Sequence, residues 1–215
     1  MASRIVRPVW AGKPASICLA LWFAVGLPAQ QAAAASGPQE VARGFYGVLL
    51  STMRDGRSLG QSGRYSRLAP VVNSTFDLAF MARLAVGPSW ATLAPTEQQR
   101  LTEAFGSYVT ATYADRFDTY SGEQLQVTGE RPYGPDVMVQ TKIVNSNGET
   151  TTLNYLMRQN QGVWQISDVY LDGRTSQLAV QRSEFSSILR REGVDGLVMA
   201  LNRKVDLLRS VARSS

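Results

Sequence analysis

The sequence predicts an α+β domain. Segments up to about residue 119 repeat their apolar positions at helical steps, segments from about 124 to 171 alternate strictly, and helical periodicity returns from about 176 onward. Blocks segregated in this way read as helices packed on an antiparallel sheet, because a parallel sheet would require strand and helix to alternate along the chain.

The first helix is expected between Glu40 and Met53, where Val41, Phe45, Val48, Leu49 and Thr52 recur three and four residues apart, and Asp55-Gly56 ends it. A second helical stretch, from about Ser62 to Asn73, carries Tyr65, Leu68 and Val72. A short third contains Leu78, Met81, Leu84 and Ala85 before Gly87-Pro88. The longest helix is expected from Pro95 to about Thr119. Pro95 suits a first helical position and Glu97 suits the positive end of the helix dipole. Leu101, Phe105, Tyr108, Val109, Thr112, Tyr113 and Phe117 form its apolar stripe, and Ser121-Gly122 stops it.

Beyond Gly122 the period becomes two. Gln124 to Thr128 reads as a strand. Val137, Val139 and Ile143 alternate with Met138, Gln140 and Lys142, and Leu153, Tyr155 and Met157 alternate with Thr152, Asn154 and Arg158. Asn147-Gly148 between the two runs is a hairpin signal. A turn at Asn160-Gln161-Gly162 leads into another strand, Val163 to Leu171, in which Trp164 and Ile166 share one face and Val169 and Leu171 the other. A bulge near Ser167-Asp168 would reconcile them, as would a strand covered on both sides. Helices from about Ser176 to Arg191 and Asp195 to Leu208 follow, broken at Gly193.

The N-terminus has the three-part layout of a secretory signal peptide. Arg4, Arg7 and Lys13 form a basic region, Ala15 to Val25 is apolar, and Ala32 to Ala35 offers a small-residue cleavage site. The apolar run is short of the roughly 20 residues a membrane span needs. The expectation is therefore a secretory signal peptide over residues 1–35, removed on export, and a single domain over 36–215. Cleavage alters the charge balance: three of the 22 Lys and Arg and none of the 17 Asp and Glu lie in residues 1–35, leaving 19 cations against 17 anions. That near-neutral balance offers no concentrated cationic footprint for nucleic acid.

The chain has no histidine, and its single cysteine, Cys18, lies in the segment expected to be removed. A Ser-His-Asp relay, a thiol nucleophile, a disulfide and a His or Cys zinc site are thereby excluded from the processed chain. There is also no Gly-x-x-x-x-Gly-Lys-Ser/Thr phosphate loop. No cofactor and no metal are expected.

Tyr155-Leu156-Met157-Arg158, the run Trp164-Gln165-Ile166-Ser167-Asp168-Val169-Tyr170-Leu171-Asp172-Gly173, and Arg182, Glu184 and Phe185 after it resemble the C-terminal half of the MlaC family, also called the toluene-tolerance family. Leu68-Ala69-Pro70-Val71-Val72, Phe76-Asp77-Leu78, Met81-Ala82, Gly87, Trp90 and Pro95 to Arg100 are similar to its N-terminal half. The resemblance implies a curved antiparallel sheet of the nuclear-transport-factor-2 class, packed with helices around an apolar pocket. It also implies a periplasmic carrier of phospholipid, or in some relatives hopanoid. The partners so implied are an outer-membrane lipoprotein complex and an inner-membrane ABC transporter bearing an MCE-domain protein.

The physics suits such a carrier. Moving an acyl chain into water costs roughly 0.8 kcal/mol per methylene, so a sixteen-carbon tail costs on the order of 12 kcal/mol. A dry pocket removes most of that cost without any chemistry, while the headgroup stays in water. The candidate lining is Val139, Ile143, Leu153, Tyr155 and Met157 from the sheet, facing Phe80, Phe105 and Tyr108 from the helices. Two other classes stay open at this point. An enzyme could use Asp77, Asp136 or Asp168 as an acid or base in an apolar cavity, and a ligand-free adaptor could bridge membrane complexes. For Asp77, at a helix start, an N-cap is the favoured reading. Asp168 is expected to bond the bulged backbone or to pair with Arg158.

Overall fold

Pro38 and Glu40 open the first helix, α1 (Pro38–Arg54), and Arg54 closes it, the charge order that complements a helix dipole. It belongs to a computed structural model that describes residues 36–211, so the expected signal segment lies outside the described residues. Phe45, Tyr46, Leu49 and Met53 of α1 are buried, and they follow the helical steps read from the sequence. The second helix, α2 (Gly56–Thr75), begins six residues before Ser62. Its first turns are interrupted at Gly60 (φ 58°, ψ −178°), a backbone state open essentially to glycine, which hid them from a periodicity reading.

The short third helix, α3 (Leu78–Val86), is capped by Asp77, whose Oδ1 accepts from the Phe80 N–H at 3.1 Å. A 3₁₀ turn, Gly87–Thr92, leads to α4 (Pro95–Arg116), where Glu97 accepts the Ala94 N–H at 2.8 Å. This helix stops three residues short of Thr119, and it is not the longest. That is α5 (Gln177–Val211), in which the two expected closing helices run together through one bent residue, Gly193 (φ 68°, ψ −168°). Glycine supplies the break without needing a loop.

Between α4 and α5 lie β1 (Gln124–Tyr133), β2 (Asp136–Val144), β3 (Thr150–Asn160), β4 (Val163–Leu171) and the two-residue β5 (Thr175–Ser176), paired antiparallel in sequence order. β1 runs five residues beyond Thr128. Gly129, Pro132 and Gly134 weaken the local strand signal, but an edge strand tolerates proline, and pairing with β2 supplies what propensity lacks. The expected bulge in β4 is present. Leu156 pairs with Asp168 and Met157 with Ile166, leaving Ser167 between them. A second irregularity falls at Thr128, between Val127 and Gly129. Bulges bend a sheet and increase its twist, and this open sheet wraps one curved face around the helices.

The core forms on that face. Phe45, Phe76 and Tyr113 meet edge to face with centroids 5.1–5.6 Å apart, and Tyr113 stacks on Phe117 at 5.6 Å. The junction of α2 and α3 docks on β4, where the Asp77 N–H donates to the Ile166 carbonyl at 2.9 Å, and on β3, from which Arg158 donates to the Asp77 carboxylate at 2.7 Å. Arg158 thus pairs with Asp77, and Asp168 bonds elsewhere.

Candidate ligand cavity

On α4, Phe105, Tyr108, Val109, Thr112, Tyr113 and Arg116 are three and four residues apart and therefore share one face. That face does not close against the sheet along its whole length. A cavity of about 390 Å³ remains between α4, the far end of the sheet and the first turns of α5, within the roughly 300–1,000 Å³ typical of small-molecule sites. Ile143 from β2, Thr151 and Leu153 from β3, and Asp168, Val169 and Leu171 from β4 form the sheet wall. Gln177, Leu178 and Gln181 come from α5, and Met53, Phe76 and Met81 close the back. The bulge at Ser167 matters here. It restores the pairing so that Val169 and Leu171 sit opposite Tyr155 and Leu153, on the same face as Ile166 opposite Met157.

The interior and the mouth differ in chemistry. Phe76, Phe105, Val109, Tyr113 and Phe117 are nearly or fully buried, and they make the inner wall continuous with the aromatic core. Arg116 and Asp118 are exposed, and Thr119, Glu123, Asn145, Thr151 and Gln177 are half-buried, so the charged and polar side chains gather where the cavity opens. The Gln181 Oε1 on the α5 wall is buried and has no hydrogen-bond partner among the described residues.

Behind the cavity three phenols approach one another. The Tyr113 hydroxyl donates to the Tyr155 oxygen at 3.5 Å, and the Tyr46 and Thr141 hydroxyls lie 2.5 Å apart. Thr141 in turn donates to the Leu153 carbonyl. Burial is the largest influence on all three phenols and pushes each pKa above the ordinary 10. They therefore stay neutral, and no phenolate charge stands against the apolar wall.

Asp168 is the carboxyl set into this wall. Burial raises its pKa above the ordinary 3.8, while bonds from the Ser176 hydroxyl and the Leu178 and Val169 N–H groups pull it down in part. Ser176 donates at 2.5 Å, Val169 at 2.7 Å and Leu178 at 3.3 Å. The carboxylate thereby ties the bulged strand to the start of α5. Its lone pairs are committed to structure, as are those of Asp77, which caps α3 and pairs with Arg158. Asp136 opens β2 opposite Tyr133 and is absent from the cavity lining. Among the described residues no group of three His, Cys, Asp or Glu side chains could hold a metal ion.

Of the eight residues expected to line a pocket, Phe105, Tyr108, Ile143 and Leu153 border the cavity. Val139, Tyr155 and Met157 share the helix-facing side of the sheet but are wholly buried in the core. Tyr155 packs there against Phe45 and Tyr46, with centroids 6.2 and 5.8 Å away. Phe80 lies apart from the cavity, half-buried, with the Arg158 guanidinium 3.9 Å over its ring. Met53, Met81, Leu178 and Gln181 were not legible as lining. They come from elements distant in sequence, and no local periodicity announces their convergence.

Three comparisons bear on this geometry. The family model described as MlaC protein matches residues 46–203. The intermembrane phospholipid transport system binding protein MlaC of Haemophilus influenzae is 22% identical over 141 residues, covering 63% of this chain. That alignment spans 64% of the relative, somewhat under two thirds of its length. A phospholipid-binding protein from Ralstonia solanacearum, solved in complex with a phospholipid, has a similar fold. Its TM-score is 0.70 and its identity 22%, with 80% of this chain and 99% of that one covered.

Proposed function

The chain belongs to the MlaC family, and from that premise we propose that it carries phospholipid between membranes, holding acyl chain in the cavity between α4, α5 and the sheet. The single observation that carries the reading is the cavity itself, about 390 Å³ in volume, apolar and aromatic within and polar at its mouth. An acyl chain gains there the transfer free energy it would lose in water, roughly 0.8 kcal/mol per methylene. The headgroup keeps its hydration at the rim. The lining assigned to the tails is Phe105, Tyr108, Ile143 and Leu153. Val139, Tyr155 and Met157 support that wall from behind, and Phe80 has a structural role under Arg158.

The same reading makes the protein a periplasmic shuttle, released after cleavage near Ala35, with residues 36–215 as its single domain. Its partners are an outer-membrane lipoprotein complex and an inner-membrane ABC transporter with an MCE-domain protein, and energy for transport comes from the transporter. The ligand is phospholipid, with hopanoid as the alternative. No reaction is assigned, since both buried carboxylates among the described residues, Asp77 and Asp168, are bonded within the fold. The test is organic extraction of folded protein purified without detergent, followed by mass spectrometry. A near-stoichiometric yield of intact phospholipid is expected. Hopanoid in its place would reassign the ligand, and a lipid-free protein would overturn the carrier reading.

A further inference from the structure

The helix-facing side of β4 borders two cavities. Val169 and Leu171, late in the strand, line the one assigned to the ligand. At the start of the strand Val163 and Trp164 line another, of about 470 Å³, with Val41 and Phe45 of α1 and Val71 of α2. Between the two lies Ile166, wholly buried and bridged to Phe76. The partition there is two rings thick. Phe76 and Tyr113 face the ligand cavity, Phe45 lines the far one, and the Phe45 ring meets them edge to face at 5.2 and 5.1 Å. All three rings are buried. From Leu171 in to Ile166 the strand covers about 15 Å. An acyl chain in a bilayer reaches about the same distance, half of a hydrocarbon core roughly 30 Å thick.

We propose that this aromatic partition is a length stop for the bound tail, and that Phe45 sets it: the cavity takes chains of ordinary bilayer length and turns away longer ones. The proposal rests on the phospholipid-carrier reading and adds to it a substrate class, selected by the tail. A chain that enters between α4 and the sheet follows the apolar wall inward until it meets Phe76 and Tyr113. Behind those two rings stands Phe45, which occupies the space into which they would turn. Phe45 is thus a positioning residue, acting on the chain through its neighbours. A methylene beyond the stop stays at the mouth in water, whereas the donor membrane covers it. Each methylene so exposed lowers occupancy by up to about fourfold, the ratio that corresponds to its transfer into water.

The experiment strips lipid from the folded protein and incubates it with fluid vesicles of equimolar phosphatidylcholines, whose paired monounsaturated chains run from fourteen to twenty-two carbons. Mass spectrometry then gives the bound ratio of the twenty-two-carbon to the eighteen-carbon lipid. Wild type is expected to hold that ratio at about one tenth of the vesicle value or below. Phe45→Leu opens the space behind Phe76 and Tyr113 and should raise it about threefold or more. Phe45→Met, closer in volume, replaces that variant where the leucine does not fold. Adding Val71→Phe, which fills the far cavity from α2, should return the ratio toward wild type, a reversal that general loosening of the core would not give. The stop is overturned if wild type takes every chain length at the vesicle ratio, if the folded Phe45 variants leave the ratio unchanged, or if Val71→Phe fails to reverse them. Wild type that binds none of these lipids overturns the carrier reading, and the stop with it.

Discussion

Asp168 joins two elements through one carboxylate, and its removal should be felt in both. Asp168→Ala leaves the Leu178 and Val169 N–H groups and the Ser176 hydroxyl without their acceptor, a loss of about 1–3 kcal/mol that chemical denaturation would measure. Because its folded pKa is raised, the folded state holds this proton more tightly than the unfolded chain does. Between the ordinary carboxyl value and the raised one, this group therefore makes the fold more stable as pH falls and less stable as pH rises. Thermal melts of wild type and Asp168→Asn across that window should differ in slope, wild type gaining on the variant as pH falls; a constant gap would contradict the assignment. A second pair of substitutions separates cavity from core. Ile143→Glu places a carboxylate in the cavity proposed to hold acyl chain, and lipid recovered per folded molecule should fall about tenfold or more. Met157→Glu places the same charge in a wholly buried position and should instead abolish cooperative folding. Gln140→Glu, on the exposed side of β2, should change neither.

Two glycines that look alike in a helical sequence should respond oppositely to alanine. Gly47 in α1 is exposed and has open space where a Cβ would stand, so Gly47→Ala should stabilise the fold by about 0.5–1 kcal/mol. Gly193 in α5 also has space, but its φ of 68° and ψ of −168° lie where side chains are strained. Gly193→Ala should destabilise by about 1–3 kcal/mol or straighten the bend. Melting curves give the signs directly. The bend lets the earlier part of α5 wall the cavity with Leu178 and Gln181, while Leu197 and Leu201 of the later part enter the core.

At the scale of the whole molecule, the charge and residue inventory makes the expected processed chain indifferent to reductants and chelators. Lipid content measured with and without EDTA or dithiothreitol should agree; a loss in EDTA restored by a divalent ion would reveal an all-oxygen metal site. N-terminal sequencing of protein recovered from the periplasm should begin near Ser36, and an intact Met1 on a membrane-bound form would contradict the proposed processing. Among the described residues no helix is long and apolar enough to cross a membrane.

The α+β class, the hairpin at Asn147-Gly148, the bulge at Ser167-Asp168, the cap at Asp77 and the break at Gly193 were all legible in the sequence. Each is a local matter of backbone geometry, periodicity or turn chemistry, settled within a few residues. Period two also identified the helix-facing side of β2 and β3. It could not say where along that side the sheet is covered by packed core and where it is left open. Tyr155 and Leu153 are neighbours on one face of one strand, yet Phe45 and Tyr46 of α1 close over Tyr155, while Leu153 borders the cavity. That division depends on how far α1, α4 and α5 reach across a curved sheet. The mouth is the same kind of outcome, because Arg116, Glu123, Asn145 and Gln177 come from four separate stretches of chain. Sequence determined which residues could be buried; only tertiary packing decided which of them meet other protein atoms and which meet empty volume.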